Sequence, residues 1–544
     1  MDKKDDKSFT LRNLLRKPDS AINTATSSYK WFVLANVMLG TFMAVLDATI
    51  VNTGIPKIMA SFGAGLDKIE WVITAYLLAM AIMLPTSAWL ADRYGYKRLY
   101  FLGLLFFTTG SMLCGLSPNE DILIASRVFQ GLGAGAIQPL GMAIITREFP
   151  LRQRGIALGF WGIAAAASIS FGPLIGGYII DNFSWKLIFE INVPVGLVTM
   201  ILTLLIQREY TGTTSRKFDI IGFISVIIFL PLTLYALSEG NAQTNSAGWH
   251  APYILLCGAI ALIAFAVFIT AEMTIKHPLV DLRLVGERNF GLANLVLIFF
   301  SLGMFGSTFL LPVYLQNSMG YTAFQSGSVF LPVGIIQGFF APVSGRIADK
   351  IGAKLPIIIG VLLMALSFYL NSKLSYLTER HYIMMSLYIR GVGMGLMFTA
   401  LSTIALVNIP HEKMAQASSI MNSIRQLGGS LGVAILATVL TSRANYHTQE
   451  YGVQIDPGSQ VYRQTVNNIA VQLQHNAGES PADAMVLSRS AIVSNLGTQA
   501  YIQGVNDDFL LAGIMTLLGG IPILFMKSGK SKTEKPSLDE RIPA

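Results

Sequence analysis

The chain has 544 residues, of which 53% are apolar and 13% charged, with a mean hydropathy of +0.55 and a formal net charge of +8. A soluble domain carries about a quarter charged residues, so this composition excludes one and describes a polytopic membrane protein. The two cysteines, Cys114 and Cys257, lie in apolar runs and offer neither a disulfide framework nor metal-ligand spacing.

Residues 1–30 are polar and basic and lack an apolar leader, which predicts a cytoplasmic tail followed by an uncleaved first span. Apolar stretches of about 20 residues predict fourteen transmembrane helices. They fall near 31–54, 71–91, 99–117, 121–146, 155–180, 187–207, 219–238, 252–273, 289–315, 325–347, 355–371, 382–407, 414–441 and 507–527. Lys and Arg gather in alternate connections, with Arg93 and Lys97 after span 2, Arg147 and Arg152 after span 4, Arg208, Arg216 and Lys217 after span 6, Lys276 and Arg283 after span 8, and Arg346 and Lys350 after span 10. The intervening connections 116–121 and 239–251 contain neither residue. This asymmetry predicts that both termini are cytoplasmic, and it accounts for the positive charge without nucleic acid. The connection 442–506 is long and polar. Val461, Val466, Ile469 and Val471, then Met485, Leu487, Ile492 and Leu496, recur there at loosely helical spacing. Two amphipathic helices, the second running into span 14, or a disordered tether are both compatible with it.

Asp47 stands alone inside the first apolar run, about 24 Å along the helix from Trp31 at ~1.5 Å per residue. A charge at that depth is costly unless it faces a cavity, is paired or takes up a proton. It therefore suits a proton-driven machine, although a packing role beside a neutralising partner fits the same position. The chain also echoes itself. Asp92-Arg93-Tyr94-Gly95-Tyr96-Lys97 lines up with Asp349-Lys350-Ile351-Gly352-Ala353-Lys354 at an offset of 257, and Arg127 with Gly131, Gly133 and Gly135 pairs with Arg390 and Gly391, Gly393 and Gly395. Six spans followed by six related ones is the two-half layout of alternating-access carriers.

These residues resemble the signatures of the major facilitator superfamily. Asp92-Arg93…Gly95…Lys97 is similar to its most general loop motif, with Ala88 and Tyr96 in place of the usual Gly and Arg. Gly172-Pro173-Leu174-Ile175-Gly176-Gly177 resembles the span-5 signature of facilitator antiporters. The run Leu46-Asp47-Ala48-Thr49-Ile50-Val51-Asn52-Thr53-Gly54-Ile55-Pro56, Arg127 with Gly131, and Ser418 to Gly429 resemble the pattern of fourteen-helix drug:proton antiporters of the EmrB/QacA type. So does Phe189-Glu190-Ile191-Asn192-Val193-Pro194-Val195-Gly196, though Glu190 stands where an apolar residue is usual.

The resemblance implies an all-α fold of two six-helix bundles, 31–207 and 289–527, related by a pseudo-two-fold axis. Two additional helices lie in a linker at 208–288, and 528–544 forms a cytoplasmic tail. It implies a proton-coupled antiporter of the bacterial cytoplasmic (inner) membrane that exports amphipathic drugs or toxic compounds. The proton gradient is the energy source, with no cofactor, no metal and no enzymatic activity. In this reading Asp47, Arg127 and Glu190 handle the proton. Asp92, Arg93, Gly95, Lys97, Asp349 and Lys350 gate the cytoplasmic side, Gly172, Pro173, Gly176 and Gly177 allow bending and sealing, and Asn52, Gln130 and Gln138 contact substrate. Membrane lipids surround the chain, and relatives with a similar loop before the last span imply a periplasmic adaptor protein and an outer-membrane channel as partners. Export of an endogenous lipid-like molecule, such as a fatty acid or lysolipid, is the alternative. Nutrient uptake by a symporter is disfavoured by the span-5 signature, and ATP drive by the absence of a P-loop.

Overall fold

The computed structural model describes residues 28–527 apart from 212–217, 241–244, 246, 276–277, 279, 411–412 and 478. The expected tails before residue 28 and after 527, and the basic residues Arg216, Lys217 and Lys276, lie outside the described residues, as does the side chain of Asp349. Among the described residues there are helices and no strands. A helix pairs its backbone N–H and C=O groups within its own segment, as an apolar surrounding demands, and interior prolines such as Pro139 and Pro173 each remove one such bond.

The first span is α1 (Tyr29–Ile50), which continues through a 3₁₀ turn, Val51–Gly54, into α2 (Ile55–Phe62), where Pro56 sits in the first turn and lacks only an N–H that would be unpaired anyway. A short α3 (Leu66–Ile69) leads to α4 (Trp71–Tyr94) and α5 (Tyr96–Gly115). The Asn119 side chain then accepts from the Ile122 N–H at 2.9 Å and starts α6 (Glu120–Glu148), whose first-turn acids complement the helix dipole. After α7 (Leu151–Asn182), the sixth span is broken at Ile191 into α8 (Leu187–Glu190) and α9 (Asn192–Ile206). The linker carries α10 (Ile220–Glu239) and α11 (Pro252–Thr274), which pack against each other.

The second half begins with α12 (Arg288–Asn317), capped by Glu287, and α13 (Ala323–Ser328), closed by a capping box between Thr322 and Gln325. It continues through α14 (Leu331–Ile351), α15 (Lys354–Asn371), α16 (Arg380–Leu406), α17 (Met414–Gln454), α18 (Gln460–Ala477), α19 (Pro481–Gly520) and α20 (Pro522–Phe525). Thirteen of these helical segments are long and apolar enough to cross a membrane. The helix α7, 32 residues long, occupies the place of the fifth expected crossing. The connection 442–506 is helical rather than a tether. The helix α17 runs on to Gln454, α18 buries Val466 and Ala470, and α19 passes without a break into the last crossing.

The internal echo has a geometric counterpart. Gly95 and Gly352 both adopt left-handed backbone, with φ of +105° and +108°, in the turns between α4 and α5 and between α14 and α15. Only glycine takes that conformation without strain. These two turns mark one end of the bundle, the basic end, and the opposite end is called the far end. The glycine rows of α6 and α16 lie against the backbones of their neighbours α4 and α5, and α14 and α15, so the two halves are assembled in the same way.

Candidate functional site

The first half closes around Asp47, which is fully buried, with 0% of its surface exposed. Its carboxylate forms an ion pair with the Arg127 guanidinium from α6, also at 0% exposure. The Gln130 and Asn192 amides each donate to Asp47 Oδ1 at 2.9 Å. The Ser111 hydroxyl on α5 accepts from the same two amides at 3.0 and 3.1 Å and holds them in place. Arg127 in turn donates through Nε to the Val72 carbonyl at 2.8 Å and through Nη1 to Gln130 Oε1 at 2.6 Å. Its plane lies over the Tyr76 ring, 4.0 Å from the centroid, with Phe189 at 5.6 Å on another side. The remaining Arg127 nitrogen, Nη2, has no hydrogen-bond partner.

Local sequence explains why these groups meet. Arg127 and Gln130 are three residues apart and therefore share a face of α6. Asn192 opens α9 directly after Ile191, and its amide faces Asp47 and Ser111. Removing one partner from a buried ion pair costs about 3–5 kcal/mol, because the other charge is stranded. A network of neutral donors around the carboxylate can hold it in either protonation state, which an isolated pair cannot do.

The structure brings Asp47, Arg127 and Gln130 together, and adds Asn192, Ser111 and Tyr76, which the sequence reading gave no role. Asn192 lies in the same motif as Glu190, two residues on, and that motif was the available signal. Glu190 instead packs beside Gly115 at the far end of α5. Gln130, expected among the substrate contacts, is committed to Asp47. Asn52 is buried in the 3₁₀ turn with its Oδ1 unpaired, and Gln138 is buried further along α6.

The gating residues occupy the two ends. At the basic end Gly95 leaves no room for a Cβ against the Glu209 carboxylate. Glu209 accepts from the Lys97 N–H at 3.0 Å and lies 3.5 Å from Arg98. Burial pushes its carboxyl above the ordinary range. The Lys97 ammonium is buried and donates to the Leu204 carbonyl at 2.8 Å, and the Tyr96 hydroxyl donates to Asp92 at 2.9 Å. Arg93 and Lys350 are exposed. These residues are expected to gate the cytoplasmic side. In this conformation the turn docks on residues 204–210, at the end of the first half and the start of the linker, while the described hydrogen bonds between the halves lie at mid-depth and the far end.

There, Gly177 meets the Ala323 backbone and Gly327 meets the Pro173 carbonyl, so α7 and α13 touch backbone to backbone. Gly172 and Gly176 lie equally close to Thr49 and Ile50 of α1. The Asp181 carboxylate accepts from the Ala323 and Phe324 N–H groups at 3.0 and 2.8 Å, so an acid of the first half caps a helix of the second. Gln316 also donates to the Thr53 carbonyl at 2.9 Å across the same seam.

The family model "Major Facilitator Superfamily" matches residues 37–433. The chain is 32% identical over 516 residues to the probable multidrug resistance protein EmrY of Escherichia coli K12, covering 92% of this chain and 96% of that protein. It is 32% identical over 490 residues to the multidrug export protein EmrB of the same organism, with 89% and 93% covered. With the uncharacterized MFS-type transporter YhcA of Bacillus subtilis 168 it shares 30% identity over 509 residues, with 93% and 95% covered. Among solved structures, the bacterial homologue of the human lysosomal transporter Spinster, inward-facing and unoccupied, superposes with a TM-score of 0.63 at 14% identity, covering 92% of this chain and 98% of that one.

Proposed function

The chain belongs to the major facilitator superfamily, and from its relatives and its buried carboxylate we propose that it is a multi-pass membrane exporter of amphipathic drugs driven by proton exchange. The relatives named a probable multidrug resistance protein and a multidrug export protein support drug efflux. The proton half of the reading is carried by one observation: Asp47 is the acid at the centre of a fully buried network in which Arg127 and Gln130 of α6 and Asn192 of α9 donate to it and Ser111 of α5 holds the two amides. Protonation weakens its attraction to Arg127 and frees the guanidinium and amides to change partners. Deprotonation draws them back. That alternation, tied to the seam between α7 and α13, supplies the two states a carrier needs.

In this reading the bundles 31–207 and 289–527 rock against each other, the basic end faces the cytoplasm of a bacterial inner membrane, and the sealed far end faces outward. Substrate enters from the basic side, and a proton taken up at Asp47 from the far side displaces it. A periplasmic adaptor and an outer-membrane channel would meet the far-end helices. The test is dye export by purified protein in liposomes under an imposed proton gradient. Wild type should transport with the gradient. Asp47→Asn should abolish gradient-driven export, at least tenfold, while remaining monodisperse. Transport that ignores the gradient, or survives the substitution, overturns the proton coupling.

A further inference from the structure

The second half repeats the architecture of the first but not its chemistry. Arg390, the counterpart of Arg127, is buried and donates to Thr308 and, at 3.2 Å, to the Met304 carbonyl, with Nε and Nη1 left unpartnered. No carboxylate pairs with it among the described residues. The buried acid of this half sits instead on the last crossing. Asp508 of α19 has 0% exposure, and neither carboxylate oxygen has a hydrogen-bond partner. It shares a helix face with Tyr501, Val505, Ala512 and Thr516, and Thr516 reaches Gly303 of α12. Asp508 is thus set in the packed interior of the second half.

Its neighbour Asp507 points the other way, into an ion cluster on α17. Arg443 Nε donates to Asp507 Oδ2 at 2.6 Å, His447 Nε2 lies 2.8 Å from the same oxygen, and His447 Nδ1 is 3.3 Å from the half-exposed Glu450. Two helical turns farther out, a polar cavity of about 260 Å³ is lined by Asn317, Ser318, Ser494, Thr498 and Tyr501. The charged or titratable groups acting on Asp508 are Asp507 and Tyr501 from its own helix and Arg443 from α17. Among the described residues α12, α15 and α18 bring it no further charge. Arg443 is already committed to Asp507.

An ionised carboxylate with no donor in an apolar interior costs several kcal/mol more than the neutral acid. A packing role would be served as well by Asn or Leu, without that cost. We infer that Asp508 is a second proton-binding carboxylate, separate from Asp47. The proton comes from water at the far end, bonds to an Asp508 oxygen and returns the same way. Its contribution to transport rests on the exporter reading. Its titration does not.

The test is infrared difference spectroscopy of the full-length protein in lipid, stepped between about pH 5 and 9, the range in which histidine exchanges protons. Wild type should show a protonated-carboxyl band that Asp508→Asn removes and Asp47→Asn leaves in place. If Asp508→Asn fails to fold, Asp508→Glu should shift the band without removing it. A spectrum of either Asp508 variant that superimposes on wild type overturns the proposal. Because the band is read without substrate, loss of gradient-driven export would count against the exporter reading alone.

Discussion

Asp47 and Arg127 could be picked out on a single line of sequence because a charge inside an apolar run is an anomaly wherever it occurs. Their helpers could not. Ser111 and Asn192 are neutral polar residues of a kind scattered through many spans, and their convergence depends on helix rotation. Glu190 drew attention by its charge, while the neutral amide two positions later makes the contact. The two positions should separate in function. Asn192→Ala removes a donor to a charged group, worth about 1.5–3 kcal/mol, and should slow gradient-driven export by tenfold or more. Glu190→Gln should leave export within about twofold of wild type, given the modest effect of substitutions away from buried networks. Equal losses in a liposome assay of both variants would return Glu190 to the proton pathway.

The spans follow from length and hydropathy, and their order follows from the repeat at offset 257, which the matched Gly95 and Gly352 turns express as backbone geometry. Composition gave no view of how the ends of the helices are used. The glycines of α7 were legible as a bending or sealing element, but not their partner, because α13, read as the start of the span at 325–347, is a separate six-residue helix whose contact with α7 is set by tertiary packing. Nor was Asp181, whose role is to cap that helix from the other half. Gly177→Ala should prevent the far-end seam from closing, since the Cβ has no room against the Ala323 backbone. The expected result is at least tenfold slower export, together with faster labelling of a cysteine introduced at Phe324. Unchanged labelling would mean that the seam does not open and close during transport.

Loop charge sets the orientation of the whole molecule, and labelling can check it. In a background with Cys114→Ala and Cys257→Ala, Leu377→Cys at the exposed far end should react with a membrane-impermeant maleimide in intact cells. Tyr94→Cys at the basic end should react only after permeabilisation. The reverse pattern would invert the topology. The apolar spacing in 442–506 was compatible with helices or with a tether, and did not show that α17 would run unbroken for 41 residues from the basic end to Gln454. Such a helix is about 60 Å long, twice the roughly 30 Å of hydrocarbon it crosses. It packs on α4 of the first half along the seam and on α19 beyond it. A rocking of about 10° between the halves would carry its outer tip through about 10 Å, by the arithmetic of a rigid rod of that length. The state of a buried carboxylate would then be displayed outside the membrane as a displacement large enough for another molecule to feel.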